Sequence, residues 1–417
     1  VSIYFVVKVC VTLSLFLELR FSTADLMNGQ PKLPIAIVIG AGPAGLACAL
    51  GLSDVCQKVH LIEKHASFEK RGATFGMAKN GQLALEEISP DLMEHMRHIG
   101  MKPGFSESLV FVWWEMRDAL LKFVKQRHNI TLYCGEEFTE IIDDNDNNNG
   151  DGDGVIKVSF ETGLEMVADF VVGADGAHSR VRNVLGLAPP IISETTLFRG
   201  SLQVPDTASI ELKGCLEEGM VPLAVDEKGK LYFVLFNFHE RHPGRLAWIL
   251  STSIDVRSDD KIAPFALVQD HVKEETDLKL IKEVLALSDE DHLKPYPKTS
   301  IVDLSDAAID AYVDRGWGGR GRITLTGDAA HGMPPTDGYG GSMAMEDALV
   351  LTRILKNDNA VADISVEDCL RKFELERFAR VKKVYDNQCE RYNTRMREGK
   401  RPGRQSKEFM DWLLAGV

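Results

Sequence analysis

The sequence predicts an α/β fold in which a dinucleotide-binding domain is interrupted by an inserted, mainly β-sheet domain and closed by a C-terminal helical region. Three observations carry this. Residues 33–64 form a strand–turn–helix–strand unit with Gly40-x-Gly42-x-x-Gly45 at the turn. Alternating strand patterns dominate from residue 191 to about 303. An apolar strand over residues 322–326 then returns to the first texture and runs into a Gly/Pro-rich segment before long helical patterns. The resulting partition is 1–30 as a separate N-terminal segment, 31–190 and 315–355 as two parts of the nucleotide domain, 191–314 as the sheet domain, and 356–417 as C-terminal helices.

The first unit is the most informative. Gly40 permits the tight turn, Gly42 lets backbone approach a pyrophosphate, and Gly45 lets helix pack on strand, with Ala41, Pro43 and Ala44 completing the turn. The helix N-terminus offers free N–H groups and partial positive charge to phosphates. Glu63, followed by Lys64, lies 18 residues past Gly45, near the roughly 20 expected for a carboxylate that holds an adenosine ribose. Residues 316–321 also read G-x-G-x-x-G, but they precede a strand and lack that context.

Further along, a helix is expected over residues 80–88, ending before Pro90, and a short strand-bearing connection over 100–112. Residues 113–124 have the apolar spacing of an amphipathic helix. Strands are expected at 130–134, 137–142, 155–160 and 166–172. The stretch 143–154 (DDNDNNNGDGDG) has no apolar residue and reads as a hairpin tip; it lacks the closing Glu of a calcium-binding loop. In the sheet domain, strands at 196–204, 220–225, 231–238 and 246–252 accompany a helix at 278–287. A helix is expected from 342 to 355, and the charge-rich stretch 367–397 reads as long solvated helices on the outside.

Composition narrows the function classes. The 417 residues are 44% hydrophobic and 26% charged, with a net charge of −14. That balance, without a basic patch interleaved with aromatics, argues against a nucleic-acid surface. Seven widely spaced cysteines with no CxxC fit reduced thiols better than a disulfide framework or a metal site. Residues 3–17 are almost wholly apolar but shorter than the roughly 20 residues of a spanning helix. They are expected to be a signal or targeting segment, a short membrane anchor, or an artefact of the gene model, on an otherwise soluble body.

Two further stretches combine with the first turn. One is Asp175-Gly176-x-x-Ser179-x-x-Arg182, and the other runs GDAAHGMPPTDGYGG over residues 327–341. Together, in this order, the three resemble the single-component flavin-dependent monooxygenases, the family of para-hydroxybenzoate and salicylate hydroxylases, over about residues 34–380. The resemblance implies a Rossmann-like, glutathione-reductase-type FAD domain with an inserted substrate domain. It implies tightly bound FAD, NAD(P)H as a visiting co-substrate without its own nucleotide domain, O2, and a small aromatic or unsaturated substrate oxygenated through a flavin hydroperoxide.

Residue by residue, the resemblance gives Asp328 the ribityl chain and Pro334, Gly338, Gly340, Gly341 and Ser342 the flavin ring. It gives Asp175 and Gly176 the pyrophosphate and the nicotinamide nucleotide, and Arg71 and Arg117 the phosphate or adenosine side. The family often has Asn where Ser342 stands and Gln where Tyr339 stands. Physics agrees for the last motif: a strand-end Asp can accept from sugar hydroxyls, and prolines fix a loop against a flat ring. The helix start behind it favours negative charge. No acid–base residue is evident. His331 and His178 read as structural hydrogen-bonders, while Tyr339, His239 and Arg199 are candidates for the substrate cavity. The alternatives are a related flavin-dependent reductase or halogenase, although the Trp-x-Trp-x-Ile-Pro signature of the latter is missing, and an FAD-binding redox sensor without turnover.

Overall fold

The protein is seen here as a computed structural model that describes residues 33–70, 74–102, 107–143, 155–193, 195–225, 231–238, 242–253, 263–272, 274–288, 300–305, 317, 319–358, 365–396 and 403–417. The N-terminal apolar segment, Arg71, His239 and the acidic stretch 144–154 lie outside the described residues.

A five-stranded sheet organises the chain, in the order β16-β9-β1-β2-β5. Its members are β1 (Ile35–Ile39), β2 (Lys58–Glu63), β5 (Ile130–Cys134), β9 (Phe170–Gly173) and β16 (Ile323–Leu325), and every pairing is parallel. Covered on both faces, β1 is a continuous apolar run, as a central parallel strand should be. Helix α1 (Pro43–Leu52) begins with proline, whose fixed φ suits a first turn. Its small residues admit close neighbours: a Cβ on Gly51 would sit 2.2 Å from the Thr352 hydroxyl. That hydroxyl belongs to α10 (Tyr339–Asp358), which also packs on α2 (Lys79–Ile88) and on the 31-residue helix α11 (Val366–Met396).

The expected strand over 166–172 is two strands. β8 (Glu165–Ala168) closes an antiparallel meander with β6 (Phe138–Asp143) and β7 (Ile156–Phe160), whereas β9 joins the parallel sheet. Asp169 makes the break: its carboxylate accepts from the Ile35 N–H at 2.6 Å and its own N–H donates to the Ile35 carbonyl. The helix expected over 80–88 ends at Ile88, before Pro90, as read from the sequence. Pro90 then starts a further helix, α3 (Pro90–Ile99), with Ser89 serving as the C-cap of one helix and the N-cap of the next.

The inserted domain is a four-stranded antiparallel sheet, β11 (Thr196–Gln203), β14 (Arg245–Thr252), β13 (Leu231–Asn237) and β12 (Met220–Val225), in that spatial order. One face, with Phe198, Phe233 and Trp248, packs on the helices α7 (Ala263–His271) and α8 (Glu275–Ala286). The other face, with Val234, Phe236 and Ala247, packs against Val110 and Val112 of β4 (Leu109–Val112) in the nucleotide domain. Among the described residues no helix is long and apolar enough to cross a membrane.

Helix α11 is solvated along one face, as the charge-rich stretch 367–397 suggests, and packs inward along the other. Its inner stripe buries Leu370, Phe373, Val381 and Val384 together with Glu374, Arg377 and Gln388.

Candidate active site

Four adjacent parallel strands deliver the site at one edge of the sheet. The residues that follow β1, β9 and β16 at their carboxyl ends are the Gly40 turn, Asp175 and Asp328, and β2 ends in Glu63. The carboxyl edge is where open α/β sheets bind ligands.

At the first turn, Gly40 has φ +105° and hydrogen-bonds to the Ile62 carbonyl at 2.8 Å. A Cβ there would meet the Ala174 carbonyl at 2.4 Å, and one on Gly45 would lie 1.8 Å from the Gly40 oxygen. These two glycines are therefore required by the protein's own packing. Gly42 is different: a Cβ there would meet no protein atom within 4 Å. Its place at the N-cap of α1, with no side chain capping the helix, leaves backbone N–H groups free to hold an anion. Glu63 stands beside this turn, accepting from the Ala41 N–H at 3.2 Å and from the His65 N–H at 2.9 Å. Lys64 is exposed next to it.

Asp175 accepts from the Arg180 and Val181 N–H groups at 2.7 and 3.3 Å through Oδ2. Its Oδ1 is buried without a hydrogen-bond partner, and burial raises its pKa despite those bonds. Gly176 follows with φ +80°. Ser179 caps helix Arg180–Val184, and Arg182 ties the region to the third motif through the Ala329 carbonyl at 3.3 Å.

Asp328 starts the short helix Asp328–His331 after Gly327, whose φ of +60° makes the turn out of β16. Its side chain reaches solvent, and desolvation by the surrounding protein raises its pKa against the opposing pull of His331. The loop that follows turns at Gly338 (φ +76°), where a Cβ would touch the Gly76 backbone of β3 (Thr74–Met77) at 3.5 Å. A Cβ on Gly340 would lie 3.8 Å from Asp328 Oδ1, so this loop closes back over the carboxyl.

Gly340 and Gly341 were expected in the loop before a helix at Ser342, but they lie in the first turn of α10. Helical backbone is tolerated there because the missing side chain makes room: a Cβ on Gly341 would strike the Phe75 ring at 2.2 Å. Pro334 is buried. The buried Ser342 hydroxyl accepts from the Ala78 N–H at 2.9 Å, fixing α10 to the N-cap of α2 just after β3.

The remaining candidates are placed as follows. Arg117, 5% exposed, is held by the Glu69 carbonyl at 3.0 Å and by Asp118, with its guanidinium over Phe68 and Trp113. Tyr339 is 5% exposed; its ring stands edge-on to Phe409 and its hydroxyl donates to the Met410 sulfur at 3.4 Å. Burial raises that phenol to about 12. Arg199 lies in register with Ile249 and, through it, Val234. Its row is on the sheet face turned to the nucleotide domain. His178 lies 3.3 Å from the Ser300 hydroxyl.

A buried polar network behind the Asp328 motif escaped the sequence reading. Asp347 of α10 accepts from the Thr326 hydroxyl and Gly327 N–H at 3.0 Å each, from His331 Nε2 at 2.6 Å and from Arg377 at 2.8 Å. It thus holds both ends of the turn that presents Asp328. Burial alone would raise the Asp347 pKa, but His331 and Arg377 together depress it. Arg377 also pairs with Glu346 at 2.7 Å, which accepts from Arg380 and Asn80 as well. The missed signal is the acidic pair Glu346-Asp347 among Met343, Met345, Ala348 and Leu349. Two carboxylates in so apolar a helix demand buried partners.

These residues fit an FAD. Free N–H groups and open space at Gly42 suit a pyrophosphate, Glu63 suits a ribose, and the carboxyls of Asp175 and Asp328 each retain capacity to accept hydroxyls or structured water. Comparison with known proteins agrees. The FAD binding domain family matches residues 74–388. The chain is 26% identical over 394 residues to the FAD-dependent monooxygenase olcE of Penicillium canescens, covering 85% of this chain and 80% of that protein. It is 27% identical to a chloroplastic zeaxanthin epoxidase of Prunus armeniaca, but there 84% of this chain spans only 54% of the relative. The crystal structure of CtdE, in complex with FAD and a substrate, superposes with a TM-score of 0.74 at 17% identity, covering 92% of this chain and 96% of that one. The chain belongs to the FAD binding domain family, among single-component FAD-dependent monooxygenases of the salicylate hydroxylase type.

Proposed function

We propose that this monooxygenase uses NAD(P)H and O2 to oxygenate an aromatic or otherwise unsaturated small molecule, hydroxylating or epoxidising it. The observation that carries the reading is the meeting of three distant motifs at the carboxyl ends of the adjacent strands β1, β9 and β16. FAD, when bound, would supply the redox chemistry and the activation of oxygen. The chain's own residues bind and orient. The turn at residues 40–45 takes the pyrophosphate with Asp175 and Gly176, Glu63 takes the ribose, and Asp328 takes the ribityl hydroxyls. Pro334 and Gly338 to Ser342 frame the ring, with Arg117 toward the adenosine side.

The substrate lies between this loop and the inner face of the inserted sheet. Val234, Phe236 and Ala247 pack on β4 and seal that side, and Arg199 on the same face orients an acidic or phenolic substrate. Apolar walls also exclude water, which protects reactive species from wasteful decay. No proton-transfer residue is assigned among the described residues.

The test is an absorption spectrum of the purified protein followed anaerobically during addition of NADPH and then NADH. A two-banded flavin spectrum that bleaches and returns on admitting air is expected. A flavin that stays oxidised with both nucleotides, even with candidate aromatic ligands present, would instead identify a flavoprotein without turnover.

A further inference from the structure

Within the segment that follows Met333, the Pro334 carbonyl accepts from the Thr336 N–H at 2.9 Å and from its hydroxyl at 3.2 Å. Pro334 and Pro335 donate no N–H, and Gly338, Gly340 and Gly341 have no side chains. The segment's remaining side chains all reach to the C-terminal part of the chain. The Thr336 hydroxyl donates to the Gln388 carbonyl, and the Asp337 N–H donates to the Gln388 side chain at 3.1 Å. The Asp337 carboxylate accepts from Arg391, from Gln388 and, at 3.1 Å, from Gln405. Tyr339 packs on Phe409 and Met410.

Residues 403–417 are themselves anchored. Arg391 donates to the Gly403 carbonyl, and Asn387 and Gln405 bond each other. The terminal helix α12 (Lys407–Ala415) is capped by Ser406 and buries Leu413. Arg380 joins its end to the polar network, donating to the Leu413 carbonyl and to Glu346 at 2.6 Å each while lying over Trp412.

We infer that residues 403–417 set the affinity of the protein for FAD by holding the 334–338 loop and the first turn of α10 in their binding shape, with Asp337 as the positioning residue through which Gln405 acts. This rests on the reading of that loop as the flavin loop. A Pro/Gly loop left ungripped loses conformational freedom when its ligand binds, and that cost is subtracted from affinity. The contacts at Asp337 and Tyr339 remove that freedom beforehand. Gln405 acts on FAD through its bond to Asp337, so its effect is indirect.

The experiment uses the full chain, stripped of FAD and titrated with FAD by flavin fluorescence, in parallel with the melting temperature of the apo-protein. Gln405→Ala, a partly exposed position, and Asp337→Asn are each expected to raise the Kd for FAD about tenfold, the scale of one charge-assisted hydrogen bond. The double variant is expected to be no weaker than Asp337→Asn alone, because both act through one contact. A merely structural contact would lower the apo-protein's melting temperature and leave Kd in place. Unchanged Kd in both variants, with Asp328→Ala still weakening FAD, would overturn the inference alone. Unchanged Kd in Asp328→Ala as well would overturn the flavin-loop reading and the inference with it.

Discussion

Glu374 makes the stability of the site's delivering strand depend on pH. It is fully buried on α11 and accepts from the Thr324 hydroxyl of β16 at 2.5 Å and from Arg371 at 2.8 Å. β16 is the strand that leads into Asp328. Burial is the largest influence on the Glu374 carboxyl and raises it from 4.5 to about 7, against the opposing pull of Arg371, Thr324 and nearby backbone N–H groups. An acid whose folded pKa exceeds its unfolded value keeps its proton when folded. Below the unfolded value both states are protonated and its contribution is complete. As pH rises toward the folded value the unfolded state ionises first, so stability is lost across that window and levels off above it. The full difference is on the order of 3 kcal/mol. Glu374→Gln has nearly the same shape and no titration. Urea unfolding of both proteins between about pH 4.5 and pH 8 isolates the effect, because the other titrating groups cancel in the difference. The variant is expected to gain on the wild type steadily up to about pH 7. A difference that stays constant across the range would refute the burial argument.

Gly42→Ala and Gly45→Ala separate ligand space from packing space. With open space at its Cβ, Gly42→Ala should leave the apo-protein's stability within about 0.5 kcal/mol and weaken FAD about tenfold in a fluorescence titration. Gly45→Ala collides with backbone and should cost about 3 kcal/mol or more, seen as a lowered melting temperature before any FAD is added. Equal behaviour of the two would contradict the placement of the pyrophosphate. Asp347→Ala strands His331 and Arg377 in the core and should cost about 3–5 kcal/mol in thermal unfolding; an unchanged melting temperature would show that the network contributes nothing. Of the six described cysteines, Cys134 is the exposed one, and Cys48, Cys56, Cys215 and Cys369 are buried. In a Cys10→Ser background, a thiol reagent should therefore give its fast phase at Cys134, lost on adding Cys134→Ser, with the buried four reacting only on unfolding.

What the sequence revealed and what it hid divide along the range of the interactions. The turn at residues 40–45 was legible because its demands are local: a positive φ at Gly40, contact of Gly45 with Gly40, and an apolar strand on each side. The amphipathic helix Trp113–Val124 and the strand Ile130–Cys134 were legible for the same reason. The division at Asp169 was not, because what breaks that strand is a pair of bonds to Ile35, 134 residues away in the chain. The polar core behind Asp328 was hidden more deeply. Helix α11 carries Arg371, Arg377, Arg380 and Arg391 among many other charges, and a charge-rich helix is ordinarily a solvated one. Which arginines turn inward depends on the phase of the helix over 31 residues and on where Glu346 and Asp347 stand in α10. Hydrophobic periodicity is blind to that phase, since the buried stripe itself contains Glu374, Arg377 and Gln388. The same stripe runs from the strand that delivers Asp328, at Glu374, through the clamp on its turn, at Arg377, to the loop at Asp337, reached by Gln388 and Arg391. One helix, read from its sequence as exterior, therefore braces the Asp328 motif at three successive points, and the charges on its inner stripe are there because each point presents a buried polar group to be satisfied.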